Sequence, residues 1–103
     1  MALVFAPTYG EGIEVTTSTS SSSTAFTANK GNVLKITNTG VTAGVVYAVV
    51  GVGTQTAVDT EELPIAGGET VYVSITESDN NLGLIASAAT PVVSAIPGYV
   101  RGA

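Results

Sequence analysis

The stretch GGETVYVSIT, residues 67–76, carries the clearest fold signal in this chain. Two adjacent glycines are typical of a tight turn, and the residues that follow Glu69 alternate between outward polar and inward apolar positions. Because successive side chains of a strand point to opposite faces, Val71, Val73 and Ile75 are predicted to face a core. Residues 70–76 are therefore predicted to form a half-buried strand.

The same pattern extends to the rest of the chain. Residues 33–38 alternate, with Leu34 and Ile36 on one face, whereas residues 45–51 are apolar on both faces, as in a central strand or one that a partner covers. Shorter β-rich runs follow at roughly ten-residue spacing, which is typical of sandwiches and barrels. These further runs are residues 13–15, 63–65, 82–87 and 91–96, the last of which we expect Pro97-Gly98 to end.

We predict an all-β fold, a small antiparallel β-sandwich of about seven to eight short strands, Ig-like or jelly-roll-like, with extended termini. The chain has 103 residues, enough for one domain with one core. We expect that core to contain Leu34, Ile36, Val71, Val73, Ile75 and Leu84. The expected organisation is an N-terminal arm with a Ser/Thr-rich segment over residues 1–24, the sandwich over 25–98 and a C-terminal tail over 99–103.

The Ser/Thr-rich segment is a low-complexity element, because residues 16–24 are all serine or threonine. Such a tract buries little apolar area, which favours a flexible linker or an edge strand that is solvated on both faces. The alternative is an extended arm that lies on a neighbouring subunit.

The composition argues against an enzyme. The sequence has no His, no Cys, no Trp and only three basic residues, whereas general acid–base catalysis, nucleophilic catalysis and transition-metal binding depend mostly on such side chains. We therefore predict a structural or binding module with no catalytic residues and no cofactor.

The net charge limits the classes of binding partner. The formal net charge is −5, which provides no basic surface for nucleic acid or anionic lipid. The apolar run at residues 45–50 is far too short to span a membrane. We expect neither nucleic acid nor membrane as a partner, and a cysteine-free chain is suited to folding in a reducing cytoplasm.

Two acidic loops carry oxygen ligands that could hold a cation. One contains Asp59, Glu61 and Glu62, and the other contains Glu77 and residues 79–81. Oxygen ligands suit Ca²⁺, but neither loop has a full ligand spacing, so we assign no metal site.

The candidate partner-binding residues are apolar and aromatic side chains near the termini and on strand surfaces. Three adjacent apolar residues near the N-terminus would be costly to expose, so they are expected to lie on another chain or at the rim of the domain's own core. Tyrosines offer apolar area with a polar tip, for protein or carbohydrate contact or for packing along a sheet. The candidates are Leu3, Val4, Phe5, Tyr47, Tyr72, Tyr99, Val100 and Arg101.

Four segments together resemble small virion structural proteins of tailed bacteriophages. They are KITNTG at 35–40, VYAVVG at 46–51, PIAGGET at 64–70 and IPG at 96–98. The resemblance covers roughly residues 32–98 and implies a β-sandwich that acts as a capsid decoration, or cement, protein. It further implies binding to the outside of major capsid protein subunits, commonly as a homo-oligomer such as a trimer, on a virion assembled in the host cytoplasm.

The sequence leaves two other functions open. A tail, head-fibre or adhesin-type accessory module would bind protein or carbohydrate, although the absence of Trp counts against a carbohydrate surface. A small enzyme is the other alternative, and the absence of His and Cys counts more heavily against it.

Overall fold

The computed structural model describes residues 3–40, 44–58 and 62–102, and within these ranges it has nine β-strands and no helix. In chain order the strands are β1 Leu3–Pro7, β2 Ile13–Thr16, β3 Ser22–Ala25, β4 Val33–Asn38, β5 Val46–Gly51, β6 Leu63–Ile65, β7 Thr70–Ser74, β8 Asn81–Ala86 and β9 Val92–Gly102.

The strands form two sheets. Sheet 1 has the order β1-β9-β4-β7, and β2 also pairs with β9; sheet 2 has the order β3-β8-β5-β6. Every pairing is antiparallel. The prediction of a small all-β antiparallel sandwich is confirmed.

The core lies between the two sheets and is built by the predicted alternation. Leu34 and Ile36 of β4 are fully buried, and their antiparallel partners Val73 and Val71 on β7 are half-buried and pack against the core. The expected core residues Ile75 and Leu84 also belong to it. The other buried members from the two sheets include Val46, Ile65, Leu82 and Val93.

Strand β9 differs from its expected end, because it continues through Pro97-Gly98 to Gly102. The backbone N–H of Thr39 bonds to the carbonyl of Val92, so alternate residues from Val92 onward point their backbone groups at β4. Pro97 is one of the intervening residues, whose backbone groups point away from β4. The N–H that proline lacks would lie beside the gap between β1 and β2. No bond to β4 is lost there, which is why a proline fits inside this strand.

The structure also differs from the expected division into arm, domain and tail. Strands β1 and β2 both pair with β9, and β3 pairs with β8, so residues 3–7, 13–16 and 22–24 belong to the two sheets. Residues 98–102 of β9 are the partners of β1. The physical reason is that β1 and the C-terminal part of β9 supply each other's backbone hydrogen-bond partners.

The Ser/Thr-rich segment crosses from sheet 1 to sheet 2. Thr17 is buried and its hydroxyl donates to the carbonyl of Pro91 at 2.6 Å. Further along, the hydroxyls of Ser21 and Ser23 accept hydrogen bonds from the backbone N–H groups of Ala57 and Gln55. Residues 22–25 are an edge strand, but its first three residues are half-buried rather than solvated on both faces.

Candidate binding surfaces

One candidate surface lies on the outer face of sheet 1. The rings of Phe5 on β1 and Tyr72 on β7 meet edge to face, with centroids 5.5 Å apart, although β9 and β4 lie between their strands. Gly98 makes this possible, because a Cβ atom there would lie only 2.7 Å from Cζ of Phe5. We call Phe5 and Tyr72 the outer aromatic pair; Val100, the cross-strand partner of Phe5, has its side chain on the same face.

Two other candidates share the opposite face of the β1–β9 ladder. Tyr99 pairs with Ala6, and Val4 lies two residues before Ala6. Because side chains alternate along a strand, Tyr99 and Val4 lie on the same face of sheet 1 as the core-facing residues of β9. Tyr99 is nevertheless 42% exposed and Val4 56% exposed. This end of the sandwich therefore presents apolar area to solvent.

The remaining candidates do not join these surfaces. Tyr47 lies on β5 of sheet 2, opposite Ile85 on one side and Pro64 on the other. It therefore belongs to the other outer face of the sandwich. The side chains of Leu3 and Arg101 lie outside the described part of the structure, so their predicted binding role stays a prediction.

The N-terminal candidates now have a place in the chain's own fold. Leu3 to Pro7 pair residue by residue with Gly102 to Gly98, which matches the alternative in which this segment completes its own sheet. Val4 remains largely exposed, while Phe5 is half-buried. Attachment to another chain through Val4 stays a prediction, but β1 does not need another chain to satisfy its backbone.

The apolar outer face of β5 is covered in part by the chain itself. The segment that follows β5 returns over sheet 2, and the side chain of Gln55 lies so close to Gly83 that a Cβ on that glycine would be 2.9 Å from it. Val49 approaches the same glycine, and Ala57 is buried. The two-faced apolar pattern of this strand is thus explained in part by residues 52–58 rather than by a partner.

A prominent exposed aromatic residue was not among the predicted candidates. Tyr9 is 85% exposed and lies in a turn between β1 and β2, where the N–H of Glu11 bonds to the carbonyl of Thr8. Gly10 in this turn has a φ of 89°, a conformation that favours glycine. The sequence signal was Tyr9-Gly10, an aromatic residue placed directly at a turn glycine.

An open groove of about 380 Å³ lies on sheet 1 between β2 and β4 and includes Lys35, the cross-strand partner of Tyr72. Its walls include Ile13 and Glu14 of β2, Lys35 of β4 and Ile96 of β9. The groove combines apolar walls with one amine and one carboxylate. Such a surface can receive a side chain of another protein, since a polar rim around apolar area is typical of contact surfaces.

The second acidic loop is held by internal hydrogen bonds. Asp79 accepts from the N–H of Thr76 at 2.8 Å, and the side-chain oxygen of Asn80 accepts from the N–H of Gly53 at 2.9 Å. These are turn-stabilising bonds of the kind common for Asp and Asn. Within the described residues no group of three potential metal ligands comes together. Asp59 and Glu61 of the first loop lie outside the described residues.

In the described ranges, the structure contains no helix long and apolar enough to cross a membrane.

Comparisons with known proteins show similarity in fold alone. No protein-family model matches the chain, and no curated protein matches it. A solved structure of Bacillus endospore appendages, described as a novel family of disulfide-linked pili, is similar with a TM-score of 0.52 and 14% identity, covering 94% of this chain and 88% of that chain. The crystal structure of PirA is similar with a TM-score of 0.50 and 13% identity, covering 85% of this chain and 93% of that chain.

Proposed function

We propose that this protein is a non-enzymatic structural subunit that acts through protein–protein contacts within a large assembly. The observation that carries this proposal is the likeness in fold, over 94% of this chain, to a protein of endospore appendages that are described as pili. The exposed apolar side chains of Val4, Tyr9, Tyr72 and Tyr99 supply contact area of the type that such a role requires.

The more specific assembly that we propose is a bacteriophage virion, with this chain bound to the outside of major capsid protein subunits. The support is the resemblance of residues 32–98 to small virion proteins. In this role, a homo-oligomer assembled in the host cytoplasm would add contact area to a preformed lattice. The polar rim and apolar walls of the groove beside Lys35 suit such contacts.

A self-assembling fibre subunit is the second candidate, and the endospore appendage likeness favours it. This chain differs from a disulfide-linked pilus in one decisive respect, because it contains no cysteine. Any fibre that it formed would be held by non-covalent contacts. Reducing agents would leave such a fibre intact, which separates it from a disulfide-linked one.

Two measurements test the proposal. The first is electron microscopy and sedimentation of the purified protein over a wide concentration range, with and without reductant. Filaments that resist reductant would support the fibre subunit. The second is the copy number of the protein on purified virions or cell-surface fibres by quantitative gel. Copies that match the capsid lattice would support decoration, and a few copies would indicate a tail or head-fibre part. A strict monomer that is absent from all such particles would contradict the structural role.

A further inference from the structure

Strand β7 is a free edge of sheet 1. It pairs with β4 on one side, and no other strand among the described residues pairs with it. The five residues of β7 include no proline and no charged side chain. Proteins usually protect an exposed edge with such residues, because an unprotected edge is a template for another strand.

The backbone hydrogen bonds show which groups of β7 are free. The N–H of Ile75 donates to the carbonyl of Asn32, and the carbonyl of Glu69 accepts from the N–H of Asn38, both at 3.0 Å. In an antiparallel ladder, backbone groups alternate in direction from one residue to the next. Residues 69, 71, 73 and 75 therefore point to β4, and the N–H and C=O groups of Thr70, Tyr72 and Ser74 point away from it.

The sequence of β7 is self-complementary. Thr-Val-Tyr-Val-Ser has the same order of side-chain types in both directions, with Tyr72 at its centre. A two-fold axis at Tyr72 would place Thr70 opposite Ser74, Val71 opposite Val73 and Tyr72 opposite itself. The outward-pointing backbone groups of residues 70, 72 and 74 are then the ones that form hydrogen-bonded pairs.

We propose that β7 pairs antiparallel with β7 of a second copy of this chain, about a two-fold axis at Tyr72, so that the two copies of sheet 1 become one continuous sheet. Each of the three hydrogen-bonded pairs exchanges two bonds. The valines form the closely spaced pairs between them, on the core-facing side of the sheet, where Val71 and Val73 are only half-buried in one copy.

The surroundings of β7 permit this contact. The ring of Tyr72 leans toward Phe5, which lies on the far side of β4 and β9, and so it leans away from the free edge. The acids that flank the strand do not oppose each other in this register. Glu69 would face Ile75 of the second copy, and Glu77 would face Gly67. Since each copy carries a net charge of −5, added salt is expected to strengthen the association by screening.

The other sheet edges are less suited to this pairing. Strand β6 has three residues with Pro64 at its centre, and the edge formed by β1 and β2 is interrupted after Pro7. Beside strand β3, the N–H of Gln55 is bonded to the hydroxyl of Ser23, and the N–H of Ala57 to that of Ser21, just before the strand. A contact about a two-fold axis closes at two copies, so this surface produces a dimer, or joins larger clusters in pairs, rather than forming a trimer.

Cysteine substitution tests the pairing and its register. The natural chain has no cysteine, so Tyr72→Cys can crosslink only to itself in another copy. In a hydrogen-bonded pair the two Cα atoms would be roughly 5.5 Å apart, within disulfide range. Ser74→Cys is the matched control, because its two copies would lie four residues apart along the strands, roughly 13 Å. Mixing Thr70→Cys with Ser74→Cys should give the mixed dimer.

Efficient crosslinking of Tyr72→Cys and of the mixed pair, with little from Ser74→Cys alone, is the expected result. Equal crosslinking of Tyr72→Cys and Ser74→Cys would overturn the register. No crosslinking of Tyr72→Cys, together with a monomer in sedimentation, would overturn the pairing itself.

A second pair of variants tests the backbone contact. Tyr72→Ala and Tyr72→Pro both remove the ring, but only proline removes the outward-pointing N–H, and neither alters a bond to β4. The dimer dissociation constant of Tyr72→Pro should exceed that of Tyr72→Ala by about tenfold or more. Equal constants would contradict edge pairing. This pairing rests on the proposed structural role and names a second copy of the chain as a partner. If these tests failed but the protein were found on particles, the structural role would still stand.

Discussion

The side-chain amide of Asn38, at the end of β4 in sheet 1, donates a hydrogen bond to the carbonyl of Ile65 in β6 of sheet 2 at 3.1 Å. Asn38 is completely buried, and its side-chain oxygen accepts from the N–H of Gly40 at 3.0 Å. This residue therefore joins the two sheets through a polar contact inside the core. Buried polar groups of this type stabilise a fold only while they keep their partners.

Replacing Asn38 with alanine should lower the free energy of unfolding by about 2–3 kcal/mol, because the carbonyl of Ile65 and the N–H of Gly40 lose their bonds to this side chain. Urea unfolding measures the loss. Thr37→Ala, one residue earlier on the outer face, is the control and should cost less. Equal losses for both variants would show that the bridge between the sheets contributes little.

Val73→Asp should destabilise the protein strongly. Val73 is half-buried and packs against the core from β7, so an aspartate there would place a partly desolvated carboxylate against Leu34, at a cost of about 2–3 kcal/mol. The adjacent Ser74→Asp places the same charge on the exposed face and should leave the midpoint of monomer unfolding nearly unchanged. Similar midpoints for the two variants would contradict the assignment of faces on β7.

Gly31→Ala should cost about 1–3 kcal/mol, the usual range for overpacking. A Cβ atom at Gly31 would overlap the backbone of Gly98, which cannot rotate away as a side chain could. Gly12→Ala is the matched control, since its Cβ would lie 3.7 Å from the carbonyl oxygen of Ala95, an ordinary contact. Thermal unfolding distinguishes the two, and a tolerated Gly31→Ala would mean that β9 shifts easily.

Deleting residues 3–7 should lower the stability of the isolated domain. The deletion removes all of β1, and with it the ring of Phe5 over Gly98, so the outer edge of residues 98–102 loses its partner. Phe5→Ala alone should cost about 1–2 kcal/mol, less than a fully buried aromatic residue. An unchanged melting temperature, combined with loss of binding to particles, would instead support an anchor to another chain.

Local sequence patterns predicted much of the fold. The alternation at β4 and β7 identified the core-facing side chains, and Gly67-Gly68 marked the turn, where Gly68 has a φ of 79°. Such signals are read within a few residues, because the period of a strand and the demands of a turn are local.

Pairing between distant segments was the part that could not be predicted. Nothing near Leu3 in the sequence indicates Gly102 as its partner, and the extension of β9 past Pro97 depends on which side β1 and β2 leave open. The candidate binding residues were found by type, but the contact of Phe5 with Tyr72 requires three strand pairings that no local pattern specifies. For the same reason, Tyr47 was grouped with residues that lie on the other sheet.

The central position of β9 in sheet 1 has a consequence for how the protein forms. Strands β1, β2 and β4 all use β9 as their partner, yet all three are synthesised long before it. In a growing chain β1 and β2 stay without their partner, and β4 can pair only with β7, until residues 92–102 emerge. Pairing between segments so far apart in the sequence is slow, and unpaired strands are prone to aggregate before their partner is present. The rate at which native protein forms should therefore depend on how quickly β9 is synthesised. Chaperones that bind unpaired strands should raise the yield.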